Sequence, residues 1–573
     1  MTPLQMALPE PPARNRPRYL ATAESVAFGD GFYAEEIDGL DRFRWMASAG
    51  SLRFEPAPVE RFLEAWVLSE FHDLSQTLTW TGAGTSETFS LIAGWSPLSI
   101  EVPAGADRVD LRVNKLFPRA YYPGDARELS IRVRGPVLHR DSMRHGHIRR
   151  QHDNAVHNVR EQIEGRTSLE STPPTLGIDL YGVCNVKPPC VYCEWDASKT
   201  QEGAFVNAPF TPDTLREWGP FFDNSVNLVN CSIGEPFMMK QFDDLLDAFG
   251  DGGKVLEMTT NGQILTDRNI QKLLGRPIDL YISLDAGTRE TYAKLRNDRF
   301  DTILGNLRRL IAAKGGRGPY PHVHLVFMPM RVNVHELEAF VRLCADLQVD
   351  RLVLRQLNDS PSVALDWERA GHHFQYQKEL LPFDELVRAS GRANGLCRRY
   401  GVELADQMDF GGAMGPQFET WFEEGRRSAG SEQPGSEQPG SDPAGSEQRG
   451  SEPAGSEPAR PEPLPSLGRE RKPLCTEPWK SLYILRRGVL PCCYGGAPIA
   501  PMDQYRDAWN GPLVQDIRAA LVQGHFHDYC LRSFTCPIVK KAAEAQSLPW
   551  PHRARLRLRR AAAGLRSRFR ARQ

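Results

Sequence analysis

The chain has 573 residues, a formal net charge of −2 and an apolar content of 40%. A chain of this length is too long for one hydrophobic core and predicts several domains. The near balance of charges argues against a dedicated nucleic-acid partner, and no window of about 18 residues is apolar enough to span a bilayer. Because the first residues lack the apolar core of a secretory signal, we expect a cytoplasmic protein in a reducing compartment.

The distribution of the eleven cysteines is uneven. A reducing compartment argues against a disulfide framework. One group lies within a single short segment and consists of Cys184, Cys190 and Cys193. A second group lies near the end of the chain and consists of Cys475, Cys492, Cys493, Cys530 and Cys536. We interpret the scattered Cys231, Cys344 and Cys397 as small buried residues rather than ligands.

The first part of the chain has the pattern of an antiparallel β domain. Residues 1–20 are rich in proline and arginine, and we expect them to be disordered. Residues 21–141 contain runs such as RVDLRV, in which apolar and polar residues alternate, separated by Gly, Pro and Asp. This pattern predicts a β-sandwich.

A helical connector is predicted over residues 142–172. Its polar helix contains His145, His147, His152 and His157. No cysteine or carboxylate constellation accompanies these histidines, so we expect a solvated face rather than a metal site.

Strand and helix patterns alternate in the next domain, which we place at residues 173–425. Six apolar runs are strand candidates: 175–183, 226–233, 254–260, 279–286, 322–330 and 350–357. Six successive βα units imply parallel strands with right-handed crossovers, and six is fewer than the eight of a closed barrel. The predicted fold class is α/β, with a partial (βα)6 TIM-like barrel after the β-sandwich.

Three further segments complete the chain. Residues 426–472 repeat units such as GSEQP and are predicted to be a disordered linker. A small cysteine-rich domain follows at residues 473–545. The tail at 546–573 is strongly basic; we interpret it as solvated, with contact to an anionic membrane surface or a nucleic acid as the alternative.

The segment CNVKPPCVYC places Cys184, Cys190 and Cys193 directly after the first strand of the predicted barrel. Loops at the carboxyl ends of parallel strands form the sites of such folds, and thiolates suit an iron–sulfur cluster or zinc. Four cysteines would saturate a four-iron cube, whereas three leave one iron open. On spacing alone, a zinc site with a fourth ligand elsewhere and three unconnected cysteines remain alternatives.

Together with later segments, this pattern resembles the radical S-adenosylmethionine (radical SAM) superfamily. The usual spacing of that family is C-x3-C-x2-C, with an aromatic residue before the last cysteine. Tyr192 stands in that place, but the first spacing is two residues longer, with Pro188-Pro189 as the insertion. Four further matches follow strand ends in the family's order: Gly234-Glu235-Pro236, Thr259-Thr260-Asn261-Gly262, Ser283-Leu284-Asp285, and Tyr292 with Arg296.

The resemblance covers about residues 174–360 and implies the cofactors and the chemistry. It implies that Cys184, Cys190 and Cys193 bind a 4Fe-4S cluster, and that S-adenosylmethionine is cleaved there to a 5′-deoxyadenosyl radical. The methionine amino group is expected at Glu235, and the ribose near Ser283 and Asp285. The residues implied to bind the cofactor are Tyr192, Gly234, Glu235, Pro236, Thr260, Asn261, Ser283, Asp285 and Arg296.

The second cysteine group lies in CTEPWKSLYILRRGVLPCC and YCLRSFTC, which resemble the SPASM or shorter twitch module found at the carboxyl terminus of many radical SAM proteins. A full SPASM module has about seven cysteines and two auxiliary clusters, so five cysteines imply one auxiliary 4Fe-4S cluster. Its ligands would be Cys475, Cys530, Cys536 and either Cys492 or Cys493, with Cys492 preferred because it follows a proline. A small zinc site is the alternative.

The segments GFYAEEIDGLDRFRWM and DARELSIRVRGPVLHRD resemble a β-sandwich region fused to bacterial glycosyltransferases and methyltransferases of surface-glycan clusters. With the barrel, this implies a radical SAM oxidoreductase that abstracts a hydrogen from a carbohydrate or another small metabolite. Its electron donor would be of the flavodoxin or ferredoxin type. Arg355 and Gln356, at the end of the sixth predicted strand, are candidates to face the substrate. The alternatives are a peptide-modifying radical SAM/SPASM maturase and a non-catalytic zinc-thiolate binding protein.

Overall fold

The protein folds as strands first, then alternating strands and helices, in the order that the sequence predicts. It is described here from a computed structural model. The residues that the structure describes are 23–38, 41–118, 122, 124–179, 183–193, 212–232, 234–239, 241–251, 253–316, 320–357, 364–408, 473–533, 536 and 538–539. The predicted disordered segments 1–20 and 426–472 and the basic tail 546–573 lie outside the described residues.

The amino-terminal region consists of eleven strands in two antiparallel sheets. The strands are β1 (Glu24–Ser25), β2 (Ala27–Phe28), β3 (Phe32–Asp38), β4 (Asp41–Met46), β5 (Ala49–Arg53), β6 (Arg61–Ser69), β7 (Thr77–Gly82), β8 (Thr85–Ser90), β9 (Gly94–Val102), β10 (Arg108–Val113) and β11 (Ile131–His139). One sheet has the order β3-β4-β11-β6-β9, with β1 paired to β11, and the other has the order β2-β5-β10-β7-β8. Apolar side chains of both sheets form one core, and strands such as β7 and β10 contribute to it with every second residue.

A long helix, α1 (Ser142–Glu164), follows these sheets. The side chain of Asp141 caps its first turn by accepting a hydrogen bond from the Arg144 amide, and Gly165 ends it in the left-handed conformation. This helix covers most of the segment 142–172 that was predicted to be a helical connector.

The histidines of α1 do not all lie on a solvated face, so that expectation is wrong. His152 is buried and packs edge-on against Phe89 of β8, and burial lowers the pKa of its imidazole to about 4. Further along, Asn158 donates a hydrogen bond of 2.7 Å to the backbone oxygen of Trp479. Sequence periodicity missed this burial because α1 packs against elements on more than one side.

The central region alternates strands and helices. Its elements are β12 (Thr175–Ile178), α2 (Pro212–Glu217), α3 (Pro220–Asp223), β13 (Asn227–Asn230), a 3-10 turn (Pro236–Met238), α4 (Phe242–Asp251), β14 (Val255–Thr260), α5 (Asp267–Leu273), β15 (Ile278–Ser283), α6 (Arg289–Leu295), α7 (Phe300–Lys314), β16 (His322–Phe327), a 3-10 turn (Val334–Glu336), α8 (Leu337–Leu347), β17 (Arg351–Leu354), β18 (Asp366–Arg369), β19 (His372–Gln375), α9 (Tyr376–Glu379), α10 (Phe383–Tyr400) and β20 (Leu404–Asp406).

Nine strands form one sheet in the order β20-β17-β16-β15-β14-β13-β12-β21-β22. The six predicted strands occupy its centre, and neighbouring strands from β20 through β21 are parallel. One face packs against the helices through residues such as Leu256, Leu280 and Leu325. We call the opposite face the inner face; it carries Glu257 and Tyr281, which alternate with those apolar residues.

The carboxyl-terminal region adds to this same sheet. Its elements are α11 (Glu477–Lys480), β21 (Ser481–Leu485), β22 (Gly488–Leu490), a 3-10 turn (Met502–Gln504), α12 (Tyr505–Trp509), α13 (Pro512–Gln523) and α14 (Asp528–Leu531). Strand β21 lies parallel to β12, and Trp479 and Leu482 belong to the main core. A Cβ atom at Gly177 would lie 2.0 Å from the ring of Tyr483, so glycine is required where the two strands meet.

Among the helices of the described residues, none is both long enough and apolar enough to cross a membrane.

Candidate functional site

The loop that carries Cys184, Cys190 and Cys193 follows β12, which ends at Ile178 rather than at residue 183 as the sequence predicts. Backbone hydrogen bonds hold both ends of this loop. The Glu235 amide donates to the Val183 oxygen at 2.8 Å, and the Val191 amide donates to the Leu295 oxygen at 3.0 Å. The segments after β13 and at the end of α6 therefore fix the position of the cysteines.

The three thiols are half-buried in one polar environment. Burial raises the pKa of Cys190 to about 11; the nearby Arg296 opposes this rise, whereas Cys193 and Cys184 add to it. The side-chain nitrogen Nδ2 of Asn261 lies 3.9 Å from the Cys184 sulfur and donates a hydrogen bond of 2.8 Å to the Asn185 side-chain oxygen. Thiols that affect each other's ionisation on one loop are a suitable donor set for a metal cluster.

The spacing of the thiols bears on which metal group they fit. In the described residues, only Asp279, His322 and His324 form a set of three donors within 4.8 Å of one another. At least two of the sulfur atoms of Cys184, Cys190 and Cys193 are therefore more than 4.8 Å apart. Tetrahedral zinc at about 2.3 Å from sulfur would hold thiolates about 3.8 Å apart, whereas a four-iron cube binds each thiolate through a different iron. The wider spacing fits the cube better than a single zinc ion.

Glu235 is a buried carboxyl group beside the cysteine loop. It accepts hydrogen bonds from the Thr260 hydroxyl at 2.7 Å and from the Asn261 amide at 2.9 Å. Burial raises its pKa to about 7, although these hydrogen bonds lower it. Gly234 and Pro236 flank this carboxyl group. The second and third family motifs are thus joined through one side chain.

Asp285 binds three separate segments of the site. Its carboxylate accepts hydrogen bonds from the Tyr192 hydroxyl at 2.6 Å, from the Arg296 guanidinium at 2.8 Å and from the Met328 amide at 2.9 Å. Arg296 also lies over the Tyr192 ring, 5.4 Å from its centroid. Ser283 is half-buried at the end of β15, two residues before Asp285. The structure therefore brings the residues of the first and fourth motifs together.

Sequence reasoning missed Arg369, which also holds the cysteine loop. Its guanidinium donates to the backbone oxygen of Pro189 and, at 2.9 Å, to that of Arg296. Arg369 ends β18, and the turn to β19 consists of Ala370 and Gly371, both with positive φ. A two-residue turn containing glycine between short runs was the sequence signal for this hairpin.

The inner face carries ionisable residues that the motifs did not identify. Arg355 lies over the Tyr281 ring, 4.6 Å from its centroid, and 4.0 Å from the Glu257 carboxylate. Its Nε donates to the Gln407 side-chain oxygen at 2.9 Å. Arg355 was a predicted substrate-facing residue, and it lies on the inner face. Polar residues at every second position of a buried parallel strand were the available signal.

The second cysteine group lies around the β21–β22 hairpin. Burial raises the pKa of Cys492 to about 12, and Cys530 and Cys475 are among the groups that add to this rise. Cys475 and Cys536 likewise raise the pKa of the Cys530 thiol, which burial brings to about 11. Each of these four cysteines thus affects, or is affected by, the ionisation of another, and Cys493 also adds to the rise at Cys492.

Cys493 has further contacts outside the group formed by Cys475, Cys492, Cys530 and Cys536. Its thiol interacts with the Tyr483 hydroxyl, and Cys493 also raises the pKa of Cys231, which follows β13. Adjacent cysteines in the sequence thus face different surroundings.

Comparison with known proteins identifies the class of this site. Residues 178–344 match the family model of the radical SAM superfamily. Two relatives named "Probable GTP 3′,8-cyclase", from different strains of Saccharolobus islandicus, are 26% identical over 185 residues, 32% of this chain. The chain spans 56% of the length of these curated relatives.

Two solved structures are also similar. SuiB of Streptococcus suis bound to S-adenosylmethionine has a TM-score of 0.43 at 16% identity, covering 68% of this chain and 76% of that one. A radical SAM methyltransferase of Sphaerobacter thermophilus has a TM-score of 0.31 at 16% identity, covering 41% and 66%. The family match shows that residues 178–344 of this chain form a radical SAM domain.

The raised pKa of Glu235 predicts a dependence of stability on pH. In the folded protein its pKa is about 7 instead of 4.5, so the folded state keeps a proton that the unfolded chain has already released. Stability therefore falls as pH rises from about 4.5 to about 7, by about 3 kcal/mol from this one group, and stays constant above. We expect Glu235→Gln to remove this slope in denaturant unfolding between pH 5 and 8. An unchanged slope in the variant would contradict the assignment.

Proposed function

We propose that this chain is a radical SAM enzyme that reductively cleaves S-adenosylmethionine and oxidises a small metabolite by abstracting a hydrogen atom. The observation that supports this most directly is the loop of Cys184, Cys190 and Cys193, held beside Glu235 and Asp285 by hydrogen bonds. These thiols would hold the 4Fe-4S cluster. When bound, the cluster supplies the electron that breaks the sulfonium bond of S-adenosylmethionine.

The chain's own residues would bind and orient the cofactor. The Glu235 carboxylate is suited to the methionine ammonium group, since a buried charge needs a charged or hydrogen-bonded partner. Thr260 and Asn261 hold that carboxylate in place. Because the Asp285 carboxylate is occupied by Tyr192, Arg296 and Met328, we assign Asp285 to positioning and Ser283 to the ribose.

The proposed architecture has three parts. A β-sandwich at residues 21–141 precedes a partial (βα)6 barrel at 173–425, and a SPASM/twitch-like module follows at 473–545. The parallel order of the six central strands supports the barrel, and the core shared by both amino-terminal sheets supports the sandwich. The pairing of β21 with β12 supports a module that packs against the edge of the barrel sheet.

An auxiliary 4Fe-4S cluster is proposed at Cys475, Cys492, Cys530 and Cys536. These thiols raise one another's pKa values, as Cys493 also does, and Cys492 is preferred because Cys493 is exposed and its thiol interacts with the Tyr483 hydroxyl. The cluster would accept the second electron when the substrate radical is oxidised.

A small polar metabolite, such as a sugar, is the proposed substrate. The relatives named GTP cyclases act, by their names, on a small nucleotide. The inner face offers Arg355 and Glu257, a cation and an acid suited to polar groups of a small molecule. A reductant of the flavodoxin or ferredoxin type and a cytoplasmic location are proposed with it.

The variant Cys184→Ala/Cys190→Ala/Cys193→Ala tests the site for S-adenosylmethionine. After anaerobic reconstitution we expect about eight irons in the wild type and about four in the variant. With dithionite, only the wild type should form 5′-deoxyadenosine. Cys344→Ala, in the buried helix α8, is the control and should keep both iron and activity. Formation of 5′-deoxyadenosine by the triple variant, or a colourless wild type that contains zinc, would refute the proposal.

Adjacent cysteines allow a matched test of the auxiliary cluster. Because Cys492 is a neighbour of Cys475 and Cys530, Cys492→Ala should lower the iron content by about four per chain. Cys493→Ala should keep the iron, since its thiol faces Tyr483. Iron and sulfide analysis with electron paramagnetic resonance measures both. The reverse pattern would assign Cys493 as the ligand, and equal iron in both variants and wild type would exclude both.

Isotope transfer tests the class of substrate. Deuterated nucleotide sugars and deuterated peptides are incubated separately with the reduced enzyme and S-adenosylmethionine. A hydrogen atom abstracted from the substrate ends in 5′-deoxyadenosine, so we expect its mass to increase by deuterium with a sugar. Transfer from peptides alone would favour the peptide-modifying alternative and reject the small metabolite.

A further inference from the structure

A compact group of three donors lies away from both cysteine sets. Asp279 is the second residue of β15, and His322 and His324 are the first and third residues of β16. In the parallel register Asp279 lies opposite His322, and residues two apart point to the same face. The three side chains therefore meet near the amino ends of these strands, whereas the cysteine loop lies at a carboxyl end.

The distances between the donor atoms are those of a metal's first coordination shell. The Asp279 Oδ1 atom lies 3.0 Å from His322 Nδ1 and 3.5 Å from His324 Nε2. Each of the three residues offers one donor atom such that all three donors lie within 4.8 Å of one another. An ion bound at about 2.0–2.2 Å to nitrogen and oxygen separates its ligands by about 3.0–3.5 Å. The 3.5 Å contact between Asp279 and His324 is long for a hydrogen bond. Hydrogen bonding alone therefore explains the arrangement less well than a shared ion does.

The charges of the group also suit a cation. His322 and His324 are buried, and the Asp279 side chain is one-third exposed. An imidazole nitrogen and a carboxylate oxygen each offer a lone pair to such an ion.

The nearby cations have partners of their own. Arg351 faces the Glu403 carboxylate at 3.9 Å. Arg134 of β11 also feels the charge of Asp279, and its guanidinium lies over the ring of Trp95, 4.4 Å from the centroid.

We propose that Asp279, His322 and His324 bind one divalent transition-metal ion of the zinc or ferrous type, separate from the iron–sulfur clusters. Two imidazoles and one carboxylate are ligands that such ions prefer. Three protein ligands leave at least one coordination position open, and the exposed edge of Asp279 gives water access to it. This site does not depend on the proposed radical chemistry.

Zinc is the probe for this site, because it is not a component of the iron–sulfur clusters. The reconstituted full-length holoenzyme is dialysed anaerobically against buffered zinc, and zinc and iron are measured by mass spectrometry. We expect about one zinc ion per chain, with an X-ray absorption shell of nitrogen and oxygen at about 2.0–2.1 Å. The variants His324→Gln and Asp279→Asn should bind zinc at least about tenfold more weakly with unchanged iron.

His373→Gln is the matched control, since His373 lies beside Asp366 and Glu368 but is exposed on the β18–β19 hairpin. It should bind zinc as the wild type does. Equal zinc affinity in wild type and His324→Gln would overturn the proposal. A zinc shell of sulfur at about 2.3 Å would overturn it as well, because the ion would then lie on cysteines. This spectrum is recorded on the wild type, so the outcome holds even where a variant fails to fold.

Discussion

The buried carboxylate of Asp285 is the contact on which the rest of the site depends. It joins the cysteine loop through Tyr192, the end of α6 through Arg296 and the segment after β16 through the Met328 amide. Its own backbone has a φ of 59°, a conformation that aspartate tolerates better than most residues. Its backbone oxygen accepts a hydrogen bond from Asn333. A buried arginine without a partner costs several kcal/mol. Loss of the Asp285 carboxylate would therefore leave Arg296 unpaired and loosen all three segments.

This network explains how an irregular loop can present three thiols without regular secondary structure of its own. The loop is longer than the family's usual spacing, and the additional residues include Pro189, whose backbone oxygen is bound by Arg369. The same guanidinium binds the backbone oxygen of Arg296. The hairpin β18–β19 thus supports the enlarged part of the loop from outside the family motifs, while Asp285 fixes the shared part. A change in loop length is tolerated because a separate element compensates for it.

Local patterns predicted the six central strands, but not their ends or their outer neighbours. The strand expected at 226–233 ends at Asn230. The apolar run continues past the strand into the segment that leads to Glu235, so its length overestimates the strand. Strand β21 was assigned to a separate module, yet it pairs with β12, which lies far away in the sequence. Such pairing depends on contacts such as Gly177 against Tyr483, which no local periodicity records. The sequence named Tyr192, Asp285 and Arg296 as motif residues, whereas the hydrogen bonds that join them and the contacts of Arg369 required the fold.

The inner face of the central sheet carries polar residues at alternate strand positions, outside the family motifs. Strands buried on both faces are expected to be apolar throughout, yet β14, β15 and β16 place Glu257, Asp279 and His324 at every second position. Burying such groups costs free energy unless each finds a partner or a ligand. Under the proposed function, Glu257 and Arg355 are the residues of this face that are expected to contact a substrate. Two relatives could therefore share every motif and still differ in substrate through these alternate positions alone.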